Sequence, residues 1–247
     1  MSPEIPTNLC YTAGHQHHIK LACAVDLISN FISQKTDFAQ TVGLGGVLHS
    51  NELELVNISS ANPPVVGSGM KIFMCLDKSP SPSTVFVATR YATYDRTNPG
   101  DYLLANSDRV LLSSGTFTYT RELFSVDEVL VFINQENHMI APSNALRPFS
   151  DARDFIDNFR AEFTADNLHP YGVITEGEEA DLLGQPAPDS NPIVGIRWFL
   201  GYDNSESHQN RIRMIFFAVL QDGRSLLHVP NSLDDAVIIE KTWPDFV

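Results

Sequence analysis

PVVGSGMKIFMCLDKS (residues 64–79) and PIVGIRWFLGYDNS (residues 192–205) lie about half a chain apart and read alike. Set over one another with a two-residue gap, Pro64, Val66, Gly67, Phe73, Asp77 and Ser79 recur as Pro192, Val194, Gly195, Phe199, Asp203 and Ser205. Lys71 is answered by Arg197. Three further matches keep the same order. DLISNF (26–31) faces DFIDNF (154–159), GVLHSNE (46–52) faces GVITEGE (172–178), and SDRVLLSSGTF (107–117) resembles DDAVIIEKTW (234–243) in pattern. Self-similarity at a fixed spacing is the mark of a chain built from a repeated unit.

Each half carries the same kinds of element. Leu21, Val25, Ile28 and Ile32 in the first, and Ala152, Ile156, Phe159 and Phe163 in the second, fall three or four apart and predict an apolar helical stripe. Ser150 is the expected N-cap of the second helix. Strand-like segments follow: KIFMCL, TVFVATRYA and RVLLSSGTFTYT, then IRWFLGY, RIRMIFFAVL and DAVIIEKTW. Asp222-Gly223 predicts a tight turn after FFAVL, and Asn98-Pro99-Gly100-Asp101 a longer loop. The expectation is an α+β protein of two similar tandem repeats, each one helix followed by a mostly antiparallel strand meander.

On this reading residues 1–20 are an N-terminal segment, 21–140 the first repeat, 141–149 a connector and 150–247 the second repeat. EVLVFINQ (128–135) reads as an extra strand. Runs such as IFMCL and MIFFAVL lack alternation, which predicts strands covered on both faces. That leaves two layouts: a layered helix-sheet-sheet-helix body, or one long sheet through both halves.

The 247 residues suffice for a core without staples. With 16 Lys+Arg against 30 Asp+Glu the net charge is −14, and no basic run occurs. Nucleic acid and anionic membrane surfaces both demand a positive stripe, so neither partner is expected. No stretch approaches the roughly 18 apolar residues of a membrane span, and the N-terminus lacks a basic start followed by an apolar run. Cys10, Cys23 and Cys75 are odd in number at unrelated spacings, which predicts free thiols. A cytoplasmic setting is the corresponding expectation.

Candidate chemistry is sparse. His15, His17 and His18 form an H-x-H cluster near Cys10, but HQHHIK lacks the continuation of a metal motif, so no metal is expected there. GLGG (43–46) follows a helix rather than a strand and reads as a helix end, so no nucleotide or other cofactor is expected. Asp77 and Asp203 read as turn initiators, and TEGEEAD (175–181) as a solvated loop. Arg211 and Arg213 alternate along one strand near Arg197, with His208 on the preceding loop. Alternate positions share a strand face, so these residues could clamp a carboxylate or phosphate. Arg197, Arg213 and His208 are therefore the candidate ligand- or partner-binding residues, with internal ion pairing as the competing use of the arginines. The expected function is a non-enzymatic interaction or structural protein, with a protein partner or self-association. The alternative is an enzyme or small-ligand-binding protein with a site between the repeats.

Overall fold

The computed structural model describes residues 10–12, 17–58, 68–79, 83–93, 108–115, 118–119, 125–135, 145–164, 171–204 and 211–241. Helices and antiparallel strands are mixed, as an α+β reading requires. In chain order the elements are α1 (Leu21–Gln34), α2 (Thr36–Thr41), β1 (Gly45–His49), α3 (Ser50–Ile58), β2 (Ser68–Asp77), β3 (Thr84–Thr93), β4 (Arg109–Gly115) and α4 (Val126–Ile133). Then come β5 (Ala145–Pro148), α5 (Phe149–Glu162), β6 (Gly172–Thr175), α6 (Glu176–Leu183), β7 (Ile193–Asp203), β8 (Arg211–Leu220) and β9 (Ile238–Lys241). No described helix is long and apolar enough to cross a membrane.

The strands divide between two antiparallel sheets, ordered β5-β4-β3-β2-β6 and β1-β7-β8-β9. One long sheet is thereby excluded. Each sheet takes one strand from the other half of the chain: β6 flanks β2, and β1 flanks β7. Their registers run in parallel. Val47 lies opposite Arg197 and Leu48 opposite Ile196, while Val173 lies opposite Lys71 and Ile174 opposite Met70. Glycine is required where the strands meet: a Cβ on Gly69 would lie 2.6 Å from the Ile174 carbonyl oxygen, and one on Gly195 would collide with the Leu48 carbonyl oxygen. Thus Gly69, and not Gly67, holds against β6 the place that Gly195 holds against β1. Gly67, with Pro64 and Val66, lies outside the described residues.

The two long helices begin alike. Both have 14 residues, and neither has a side-chain cap of its own. The Leu21 amide donates to the Asp235 carboxylate at 2.9 Å, and the Phe149 amide to the Asp108 carbonyl at 2.6 Å. Orphan amides at a helix start need such partners. Ser150 is not the N-cap: Pro148 is, because β5 keeps pairing with β4 through Pro148 and α5 starts at the next residue. The expected connector accordingly contains a strand rather than a free linker.

Burial follows from the alternation along β2. Phe73 and Cys75 pack with Phe149, Ala152 and Ile156 of α5, while Met70, Ile72, Met74 and Leu76 join a larger cluster with Trp198, Leu200 and Phe216 of the other sheet. All eight residues of the two expected helical stripes are buried.

Several expectations require correction. EVLVFINQ is not a strand: α4 covers Val126–Ile133, opened by a capping box in which the Glu128 amide donates to Ser125 Oγ and the Ser125 amide to Glu128 Oε2. TEGEEAD is not a solvated loop but α6, opened by the same device with Thr175 and Glu178. Cys10 and Cys23 are not free thiols: they form a disulfide, leaving Cys75 as the buried free cysteine. The free-thiol argument for a reducing compartment falls with them. Gly43-Leu44 does follow a helix end, with Gly43 at φ 128.

Candidate functional site

Arg213 is the third residue of β8, opposite Gly201, with its side chain 1% exposed. Its Nη2 lies 2.6 Å from Asp203 Oδ2 and its Nη1 3.0 Å from Glu240 Oε1. The Tyr11 hydroxyl donates to the other oxygen of Glu240 at 3.1 Å. β7, β8, β9 and the N-terminal segment thus each supply one member of a buried cluster. Burial works against the Arg213 charge, but Glu240 and Asp203 together outweigh it and raise its pKa. Burial, and then Glu240, push the Tyr11 hydroxyl up as well, so it serves as a proton donor. Asp203, expected as a turn initiator, pairs with Arg213, and residues 205–210, where that turn would lie, are outside the described residues. Asp77 is a turn initiator: its Oδ1 accepts from the Ser79 amide at 2.8 Å.

Arg197 is also fully buried, four residues before Gly201 on β7. Its Nη1 donates to the Ile133 carbonyl at 3.2 Å and to Ser225 Oγ at 3.1 Å, and its Nη2 donates to the Gly223 carbonyl. Ser225 Oγ itself donates to the Ile133 carbonyl at 2.6 Å. Ile133 is the last residue of α4, where carbonyls lack intrahelical partners, so Arg197 and Ser225 complete that helix end. Burial pulls the Arg197 pKa down to about 10, with Asp222 opposing.

A second polar set gathers around α6. The Tyr91 hydroxyl donates to Glu179, and Lys241 Nζ lies 2.5 Å from Glu178 Oε1. His18 Nε2 stands 3.4 Å from Asp181 Oδ2. Burial, and then Glu176, raise the Glu179 pKa against the opposing Tyr91 hydrogen bond. α6 is therefore tied by polar contacts to β9, β3 and the N-terminal segment at once.

Of the three candidate residues, Arg197 and Arg213 lie on adjacent strands but serve separate partner sets, and His208 lies outside the described residues with His15. Sequence reasoning missed Tyr11, Glu240, Tyr91 and Glu179. A carboxylate and an amine ending the apolar run VIIEK were a signal for the first cluster, since buried charges need partners. Among the described residues no group of three or more His, Cys, Asp or Glu could hold a metal ion. Comparison of the chain with protein-family models, with curated proteins and with solved structures finds no match.

Proposed function

We propose that the protein is a non-enzymatic interaction or structural protein whose body is an internal duplication, folded as helix-sheet-sheet-helix with the long helix and one strand of each half exchanged onto the other half's sheet. Support for the duplication comes from the matching registers of β1 on β7 and β6 on β2, from the paired glycines Gly69 and Gly195, and from the equal lengths of α1 and α5. The layered arrangement is supported by the two clusters that share β2 between α5 and the other sheet.

The observation that carries the functional reading is the use made of buried charge. Arg213, Arg197, Lys241, Glu178 and Glu179 all engage groups of the chain itself, joining elements distant in sequence. Such commitments specify and stiffen a scaffold. The protein acts by presenting its surface to a protein partner or to a second copy, and Arg197 and Arg213 contribute by holding that surface in shape. Native mass spectrometry of the protein purified under mild conditions from its own source tests this. A complex of fixed protein stoichiometry is expected. A monomer carrying a small molecule of constant mass would favour the alternative, a ligand-binding protein or enzyme.

A further inference from the structure

The N-terminal segment reaches the edge of the second sheet differently from the way β5 reaches the first. β5 pairs with β4 over four residues, Arg109↔Pro148 to Leu112↔Ala145. On β9 the only counterpart among the described residues is the single bridge His18↔Ile239, flanked by Ile19 N–H donating to the Ile238 carbonyl and Glu240 N–H to the His17 carbonyl, each at 2.9 Å. The segment then doubles back, with Tyr11 bridging Ile19 and Lys20 N–H donating to the Cys10 carbonyl at 2.9 Å. Beside the Cys10–Lys20 hydrogen bond the Cys10–Cys23 disulfide ties residue 10 to the first turn of α1. Where the ladder is short, a covalent bond holds the segment, and Tyr11 beside it reaches the Arg213–Asp203–Glu240 cluster.

We propose that the Cys10–Cys23 disulfide is a redox-operated latch that holds the N-terminal segment over the Arg213 cluster, and that its reduction by a dithiol opens that cluster to solvent. A thiolate of the reductant attacks the sulfur of Cys10, the more exposed of the two cysteines, and Cys23 leaves as thiolate. The reductant's second thiolate then displaces Cys10 and closes its own disulfide, so two electrons and two protons pass to the chain. Freed from its tether, the described part of the segment keeps the two backbone bonds to β9 and the His18–Asp181 contact at a sheet edge, the kind of element that opens locally without global unfolding. Opening removes the Tyr11 hydrogen bond from Glu240 and makes the Arg213 guanidinium reachable. The first sheet has no such opening, because Phe86 stands opposite Cys75 where Arg213 stands opposite Gly201, and its edge is the longer β5 ladder.

Hydrogen–deuterium exchange of the full chain, with and without dithiothreitol, tests the latch. Reduction should speed exchange in peptides covering residues 17–20 and 238–241 by about tenfold or more. Peptides covering residues 109–112 and 145–148 should change much less. In parallel, phenylglyoxal should modify Arg213 faster in the reduced protein, while Arg197 stays protected. The double variant C10S/C23S should reproduce both effects without reductant, and reoxidation of the wild type should reverse them. Unchanged exchange at residues 17–20 on reduction would overturn the proposal. So would equal acceleration in both sheets, or a double variant that does not fold, since either makes the disulfide a staple of the whole body.

Discussion

On the outer face of the first sheet Phe86 stacks on Phe155 of α5, with ring centroids 5.7 Å apart and planes 11° from parallel. At the matching place on β8 stands Arg213, bound to Asp203 and Glu240. The same strand position is thus closed by dispersion in one half and by charge in the other. The difference lies in what surrounds it. The position that pairs with Ala88 on the first sheet is Leu112, and the one that pairs with Ile215 on the second is Glu240, so each sheet is self-consistent. An aromatic pair is worth its buried area and about 0.5–1.5 kcal/mol besides, whereas a buried ion cluster is costly to break and close to neutral to replace outright.

The largest expected effect follows from that asymmetry. Arg213→Ala leaves Asp203 and Glu240 buried without their cation and should cost about 3–5 kcal/mol in urea unfolding. Arg213→Phe with Glu240→Leu copies the first sheet's solution and should cost clearly less than the single alanine substitution. A double variant less stable than Arg213→Ala would break the comparison between the two outer faces.

A smaller effect separates the matched cations on β2 and β7. Lys71 is buried over the Tyr171 ring, 5.1 Å from its centroid, whereas Arg197 binds two carbonyls and a hydroxyl. Arg197→Met should cost about 1–3 kcal/mol, because the buried Gly223 carbonyl loses its guanidinium donor while Ile133 keeps the Ser225 hydroxyl, and Arg197→Lys should not restore it, because an ammonium cannot span all three acceptors. Thermal or urea unfolding of both variants checks this, and wild-type stability in Arg197→Lys would contradict it.

The smallest effect depends on pH and distinguishes α6 from α3, where Leu53 takes the place on the helix that Glu179 takes after its own capping Glu. Because burial raises the Glu179 pKa in the folded protein, its contribution to stability is complete below the ordinary carboxylate pKa of about 4.3 and is lost as pH rises through the higher folded value. Glu179→Gln removes that loss, so the melting temperature of the wild type relative to the variant should fall as pH increases over this window. A difference that is flat with pH would show that Glu179 titrates normally.

Much of the fold was legible. The stripes of α1 and α5 and the long hairpins stand out because buried helices and two-sided strands leave periodic or continuous apolar runs. The α4 and α6 helices were misread because VDEVLVFI is rich in strand-favouring residues and EGEEADLL in charge, yet both carry the S/T-x-x-E signature that opens a helix. The exchange of β1 and β6 was not legible, since pairing partners are set by tertiary packing and both strands are only four or five residues long. Nor was the disulfide: an odd cysteine count says nothing about which two approach in space. At the candidate site Arg197 and Arg213 were visible as charges in apolar strands, but their partners Ile133, Gly223 and Glu240 come from distant segments.

The strand exchange is the centre of the account, and expressing the chain as two separate pieces, residues 1–135 and 136–247, tests it most directly. Among the described residues β1 pairs only with β7 and β6 only with β2, so neither piece holds a complete sheet of its own. The account predicts that neither piece alone melts cooperatively as a monomer, and that the two expressed together purify as a one-to-one complex with a single unfolding transition. A piece that folds alone as a stable, cooperatively melting monomer would contradict it.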